Sequence, residues 1–121
     1  MTEIKNTKQY DLEDRTLNFA HQYRLFVKRL PKTIGNIEDG KQGVGASGSV
    51  GANYIEANEA LSKKDFVHRL KISRKEAKES RYWLKLVDAN GSQNLDGERL
   101  ILIKEATELM NIFGSIIRKS E

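Results

Sequence analysis

The chain has 121 residues, of which 38% are hydrophobic and 31% charged, and none is cysteine. This is the length of one domain with one core, too apolar for a disordered chain, and it excludes a disulfide scaffold, a thiolate nucleophile and a zinc–thiolate site. The net charge of +4 is unevenly placed: residues 1–61 balance eight Lys/Arg against eight Asp/Glu, whereas residues 63–85 carry nine Lys/Arg and three acids.

No apolar run approaches the ~20 residues of a membrane-spanning helix. The opening MTEIKNTKQY has no signal-peptide core, so a cytoplasmic protein without a membrane partner is expected.

Residues 1–10 read as an N-terminal arm, followed by a single helical domain over 11–118. The first helix is expected over about 11–30, with Asp11 as N-cap and Asp14 three residues on. Leu12, Thr16, Phe19, Tyr23, Phe26 and Leu30 recur at spacings of 4, 3, 4, 3 and 4, the period of one helix face, and Pro31, the single proline, ends the run. A second helix over about 34–61 follows Thr33 and is expected to use Ile34, Ile37, Lys41, Val44, Gly48, Gly51, Ile55 and Asn58 as its seam. Gly40, Gly43, Gly45, Gly48 and Gly51 crowd into this helix, each costing about 1 kcal/mol relative to Ala. Either close helix–helix approach offsets that cost, or the helix is broken there.

The third helix, about 63–89 with Ser62 as cap, carries the most information. Phe66, Leu70, Ser73, Ala77, Ser80 and Leu84 form an apolar or small seam. On one flank of it fall Lys71, Arg74, Lys78, Arg81 and Lys85; on the other fall Glu76 and Glu79, beside Ile72 and Trp83. A solvated helix has no need of such sorting, and partners on more than one side are expected. After the turn-rich Asn90–Asn94, a fourth helix over about 96–118 is expected with Asp96 as its cap. Its stripe of Leu102, Ala106, Leu109, Phe113 and Ile116 is joined by Ile103, Met110 and Ile117 on one side and by Ile101 and Ile112 on the other. Together they cover about 200° of the wheel, against roughly 100° for an ordinary surface helix. Such an arc points to an oligomer or to a deeply buried helix.

Three other constellations carry little. Gly43–Gly48 spells G-x-G-x-x-G, but no buried strand precedes it, and without strand and helix the glycines cannot bring a pyrophosphate to a helix N-terminus. A di-iron bundle needs two Glu-x-x-His pairs; His21 has Asn18 three residues before it and His68 has Asp65, so no metal and no cofactor is expected. Asn53, Tyr54, Glu56, Asn58 and Glu59 form a polar patch without a nucleophile or histidine to join it, which suits hydrogen bonding to the basic helix rather than catalysis.

Ser49–Ala57, SVGANYIEA, with Arg74–Leu84, RKEAKESRYWL, resembles the four-helix-bundle family of 23S rRNA intervening-sequence proteins. The likeness extends from about Tyr10 to Ile117, and Ser49, Asn53 and Glu56 carry its most specific element. The family is similar to the accessory variability determinant of diversity-generating retroelements, a pentameric basic barrel that associates with a reverse transcriptase and nucleic acid. The chain departs from the family at Gly43, Val44, Gly45 and Ala46, where bulkier residues and a basic one are usual.

The expectation is therefore an all-α, antiparallel up-down four-helix bundle that assembles into a ring, with a pentamer favoured. It is a non-enzymatic binding protein engaging RNA or DNA backbone through Lys71, Arg74, Lys78, Arg81 and Lys85, with Glu76, Glu79 and Trp83 at the subunit interface. A reverse transcriptase partner is implied by the resemblance alone. The alternative is a structural or adaptor oligomer whose charged stripes pair between subunits and bind no nucleic acid.

Overall fold

The computed structural model describes residues 2–121, with side chains from Leu12 onward. It consists of α1 (Thr2–Arg29), α2 (Ile34–Asn58), α3 (Lys63–Leu86) and α4 (Gln93–Ser120), with no strand among the described residues. Each helix packs on its neighbours in chain order, and α4 closes against α1.

Cross-helix partners show that all four contacts run antiparallel. Thr16 and Tyr23 of α1 meet Gly51 and Gly43 of α2. Arg69 and Ser73 of α3 reach Asn53 and the Val50 carbonyl of α2. Lys71 and Arg81 reach Glu121 and Thr107, and Arg15 and Arg29 reach Glu105 and Glu98.

The first helix starts earlier than its capping signal suggested. Asp11 lies inside α1 rather than ahead of it, and the expected arm is drawn into the helix as far as Thr2. The six periodic residues from Leu12 to Leu30 are all buried. At the other junctions, the hydroxyls of Thr33, Ser62 and Ser92 accept from the backbone N–H three residues on, satisfying first-turn donors that the helix itself cannot. Ser92, not Asp96, is thus the cap of α4, and Asp96 sits in its first turn, where a carboxylate complements the helix dipole. Between α3 and α4, Asn90 and Gly91 both take positive φ, the left-handed conformation those residues tolerate best.

The seam of α2 is corrected by one residue. Its buried face is Asn36, Gly40, Gly43, Ala46, Ser47, Val50, Tyr54 and Ala57, whereas Ile34, Ile37 and Ile55 are exposed. Branched apolar residues drew the periodicity reading to the wrong face, because the real contact is made of side chains too small to register as hydrophobic. Gly40, Gly43 and Gly51 are accounted for by proximity. A methyl on Gly40 would lie 2.8 Å from a Val27 methyl, and one on Gly51 would lie 2.8 Å from the Thr16 hydroxyl. The helix is continuous through them, and α1 lies against its backbone. Across α2 and α3 the same economy holds: the buried Ser73 hydroxyl donates to the Val50 carbonyl at 2.9 Å.

Aromatic rings fill the centre. Phe19 and Tyr23 meet edge to face at 5.8 Å, and Tyr54 from α2 tilts against Phe113 from α4 at 5.9 Å. No buried side-chain nitrogen or oxygen among the described residues lacks a partner. None of the described helices is long and apolar enough to cross a membrane.

Candidate nucleic-acid interface

The seam of α3 decides where its charges go. Leu70, Ser73, Ala77, Ser80 and Leu84 are buried, and with them inward the basic flank turns toward α4 while the acidic flank turns toward α2. Lys71, Arg74, Lys78, Arg81 and Lys85 therefore line the α3–α4 groove, spaced 3, 4, 3 and 4 residues apart over about 20 Å at 1.5 Å rise.

The five differ in what they touch. Lys71 pairs with Glu121 at 3.2 Å. Arg81, half-buried, donates to the Thr107 hydroxyl at 3.0 Å, and Thr107 in turn donates to the Ile103 carbonyl at 2.9 Å. Arg74, also half-buried, leans over Gly114 of α4. Lys78 and Lys85 are exposed. Among the described residues, Arg74, Lys78, Arg81 and Lys85 enter no ion pair. Four of the five charges are thus free of a carboxylate within the protomer, among the described residues.

Two arginines of α4 extend this groove, and nothing in the linear pattern singled them out. Arg99 is committed to structure: it pairs with Asp96 and donates to the carbonyls of Leu84 and Val87, satisfying the orphan acceptors at the end of α3. Arg118 is exposed and enters no ion pair among the described residues. Both lie on a helix that the charge sorting of α3 did not report on, so only packing brings them to the stripe.

The opposite flank carries the residues expected at a subunit interface. Glu76 and Trp83 are half-buried and Glu79 is exposed. Burial pushes the Glu76 carboxyl above the usual carboxylate range, Glu79 pushes it further, and Lys75 opposes them. Tyr82 meets Trp83 edge-on at 4.9 Å, leaving an aromatic pair partly exposed at the outer side of α3. Glu98, Glu105 and Glu108 of α4 face the other way, into the α1–α4 groove. There Arg15 makes a forked contact with Glu105 at 2.7 and 2.8 Å and a further bond to Glu108 at 2.8 Å. Beside them is a cleft of about 440 Å³ lined by Phe19, Gln22, Ile101 and Leu102.

In the polar patch of α2 the two asparagines bond within the bundle, while Glu56 and Glu59 are exposed. Asn53 accepts from Arg69 at 3.1 Å and donates to the Ser49 carbonyl at 2.9 Å, while Asn58 donates to Glu13 at 2.9 Å. His21 and His68 are exposed, and no group of three or more His, Asp or Glu among the described residues could hold a metal ion.

Residues 8–115 match the family model described as 23S rRNA-intervening sequence protein. A crystal structure of a protein with unknown function, from the S23 ribosomal protein family of Bacteroides thetaiotaomicron, is 29% identical, with 92% of this chain and 98% of that chain covered and a TM-score of 0.76. No curated protein matches the sequence.

Proposed function

We propose that this chain, which belongs to the 23S rRNA-intervening sequence protein family, is a non-enzymatic binding protein that holds the phosphate backbone of RNA or DNA in its α3–α4 groove. One observation carries the reading. Five cations stand in a row along one groove, and four of them, Arg74, Lys78, Arg81 and Lys85, have no carboxylate partner among the described residues. Phosphates along a strand can meet such a row, releasing condensed counterions as they do so. Contacts of this kind position a strand without reading its sequence, so sequence preference is slight.

The protomer acts as part of a head-to-tail oligomer, closing into a ring in the cytoplasm, with five subunits favoured. The support is the apolar surface that one protomer leaves uncovered, with Leu100 65% and Ile101 69% exposed on α4 and Tyr82 and Leu86 exposed on α3. Cations on one flank, with Glu76 and Glu79 on the other in no ion pair among the described residues, suit a heterologous contact, which closes into a ring when the rotation permits. A ring multiplies the stripe and makes weak single contacts act together.

The double substitution Arg74→Glu with Lys78→Glu tests the assignment, read by fluorescence titration with single-stranded RNA at two salt concentrations and by light scattering. Loss of binding with the assembly intact supports it. Dissociation of the assembly, or no salt-dependent binding by the unmodified protein, assigns the stripe to subunit contacts instead.

A further inference from the structure

Gly114 is the point where the two helices of the groove come closest to sharing a cation site. It is buried in α4 on the side facing α3, and it has no side chain to fill the space above it. A methyl group placed there would lie 3.4 Å from Nη1 of Arg118 and 3.9 Å from Nη1 of Arg74. Arg118 stands one turn beyond Gly114 on the same helix face, and helical side chains lean back toward the N-terminus, which brings its guanidinium over the glycine. Arg74 arrives from α3. Among the described residues, neither guanidinium makes a hydrogen bond to another side chain or an ion pair with a carboxylate. Glu121, at the end of α4, is paired with Lys71.

We infer that Arg74 and Arg118 form a two-armed clamp for a single phosphate group, seated over the notch that Gly114 leaves in the α3–α4 groove. Two like charges held over one small hollow repel each other unless an anion comes between them. Each guanidinium offers up to five N–H donors in a rigid fork that matches two oxygens of a tetrahedral oxyanion. Two nitrogens within contact distance of one point lie within the span of such a group. A lysine, as a point charge, would not hold the oxyanion in this orientation. The occupant is a backbone phosphate of the RNA or DNA strand proposed above, and the inference rests on that reading. It adds a cation from α4 and makes one point of the groove geometrically specific, where the rest of the stripe is a row of independent charges.

The test is a set of Arg118 substitutions, which fall on an exposed side chain and leave the core untouched. Arg118→Gln is expected to weaken binding of single-stranded RNA roughly ten- to a hundredfold, the loss of a charge-assisted hydrogen-bonded arm. It should also lower the slope of log affinity against log salt by about 0.7. Arg118→Lys should not restore affinity. Adding Arg74→Gln to Arg118→Gln should cost less than the sum of the two alone, while adding Lys85→Gln should cost its full separate amount. Inorganic phosphate should displace the strand at an ionic strength where chloride does not, and this displacement should vanish in Arg118→Gln. Undiminished binding by Arg118→Gln, full rescue by Arg118→Lys, or simple additivity of Arg74 and Arg118 overturns the clamp and leaves the stripe standing. Absence of binding by the unmodified protein overturns the stripe, and the clamp with it.

Discussion

Tyr23 occupies the space that any side chain at position 43 would need: a methyl on Gly43 would overlap the Tyr23 hydroxyl. That hydroxyl passes beneath α2 and donates to the backbone carbonyl of Ser80 on α3 at 2.9 Å. One tyrosine thereby ties three helices together, and the glycine is what lets it through. Gly45, two residues on, faces open space and is exposed. The two glycines therefore respond in opposite directions to the same substitution. Gly43→Ala should overpack the seam and destabilise by about 1–3 kcal/mol. Gly45→Ala should stabilise by about 1 kcal/mol through helix propensity alone. Urea unfolding measures both, and equal effects at the two positions would contradict the packing described.

Tyr23 also makes stability sensitive to alkali. Burial, with a smaller contribution from Asp39, pushes its phenol well above the ordinary value of 10.0. The folded protein keeps this proton at a pH where the unfolded chain gives it up. The stabilisation is complete below pH 10.0 and is lost as pH rises beyond it toward the folded value. Thermal unfolding followed between pH 8 and 11 should show Tyr23→Phe less stable than the parent by about 1 kcal/mol at the lower end, from the lost hydrogen bond. The difference should narrow toward the upper end.

Asn36 should be among the least replaceable polar residues. It is 4% exposed, donates through Nδ2 to the carbonyls of Pro31 and Asp88, both at 2.9 Å, and accepts at Oδ1 from the Asp88 N–H at 2.9 Å. This pins the turn between α1 and α2 to the end of α3. Asn36→Ala leaves these backbone groups without partners inside the protein and should cost about 2–4 kcal/mol. Asn36→Asp keeps the acceptor but loses both donors, and should not recover the stability. Denaturant midpoints of the two variants check this.

The proposed assembly has a built-in reporter, since Trp83 is the only tryptophan. In one protomer its ring is partly exposed beside Tyr82. If this flank meets a neighbouring copy, emission should shift to the blue as concentration rises through the association range, in step with the mass from light scattering. Trp83→Ala should move that range to higher concentration. A concentration-independent spectrum together with an associating protein places the contact elsewhere.

The amino-acid sequence determined the helices and most of their faces by itself. Leu12 to Leu30 in α1 and Leu70 to Leu84 in α3 are spaced at the helical period with side chains large enough, or uniformly small enough, to mark a single inward stripe. The basic row of α3 was legible for the same reason: once the seam is known, the flank follows from 100° per residue. Two things lay beyond that logic. The buried face of α2 is written in Gly40, Gly43, Ser47 and Ala57, whose value comes from what α1 and α3 place against them, and a pattern reading weighted by hydrophobicity preferred the exposed Ile34, Ile37 and Ile55 instead. The meeting of Arg74 with Arg118 over Gly114 joins residues forty-four positions apart on separate helices. Periodicity assigns each residue an angle on its own helix, and only packing decides which angles of two helices face each other.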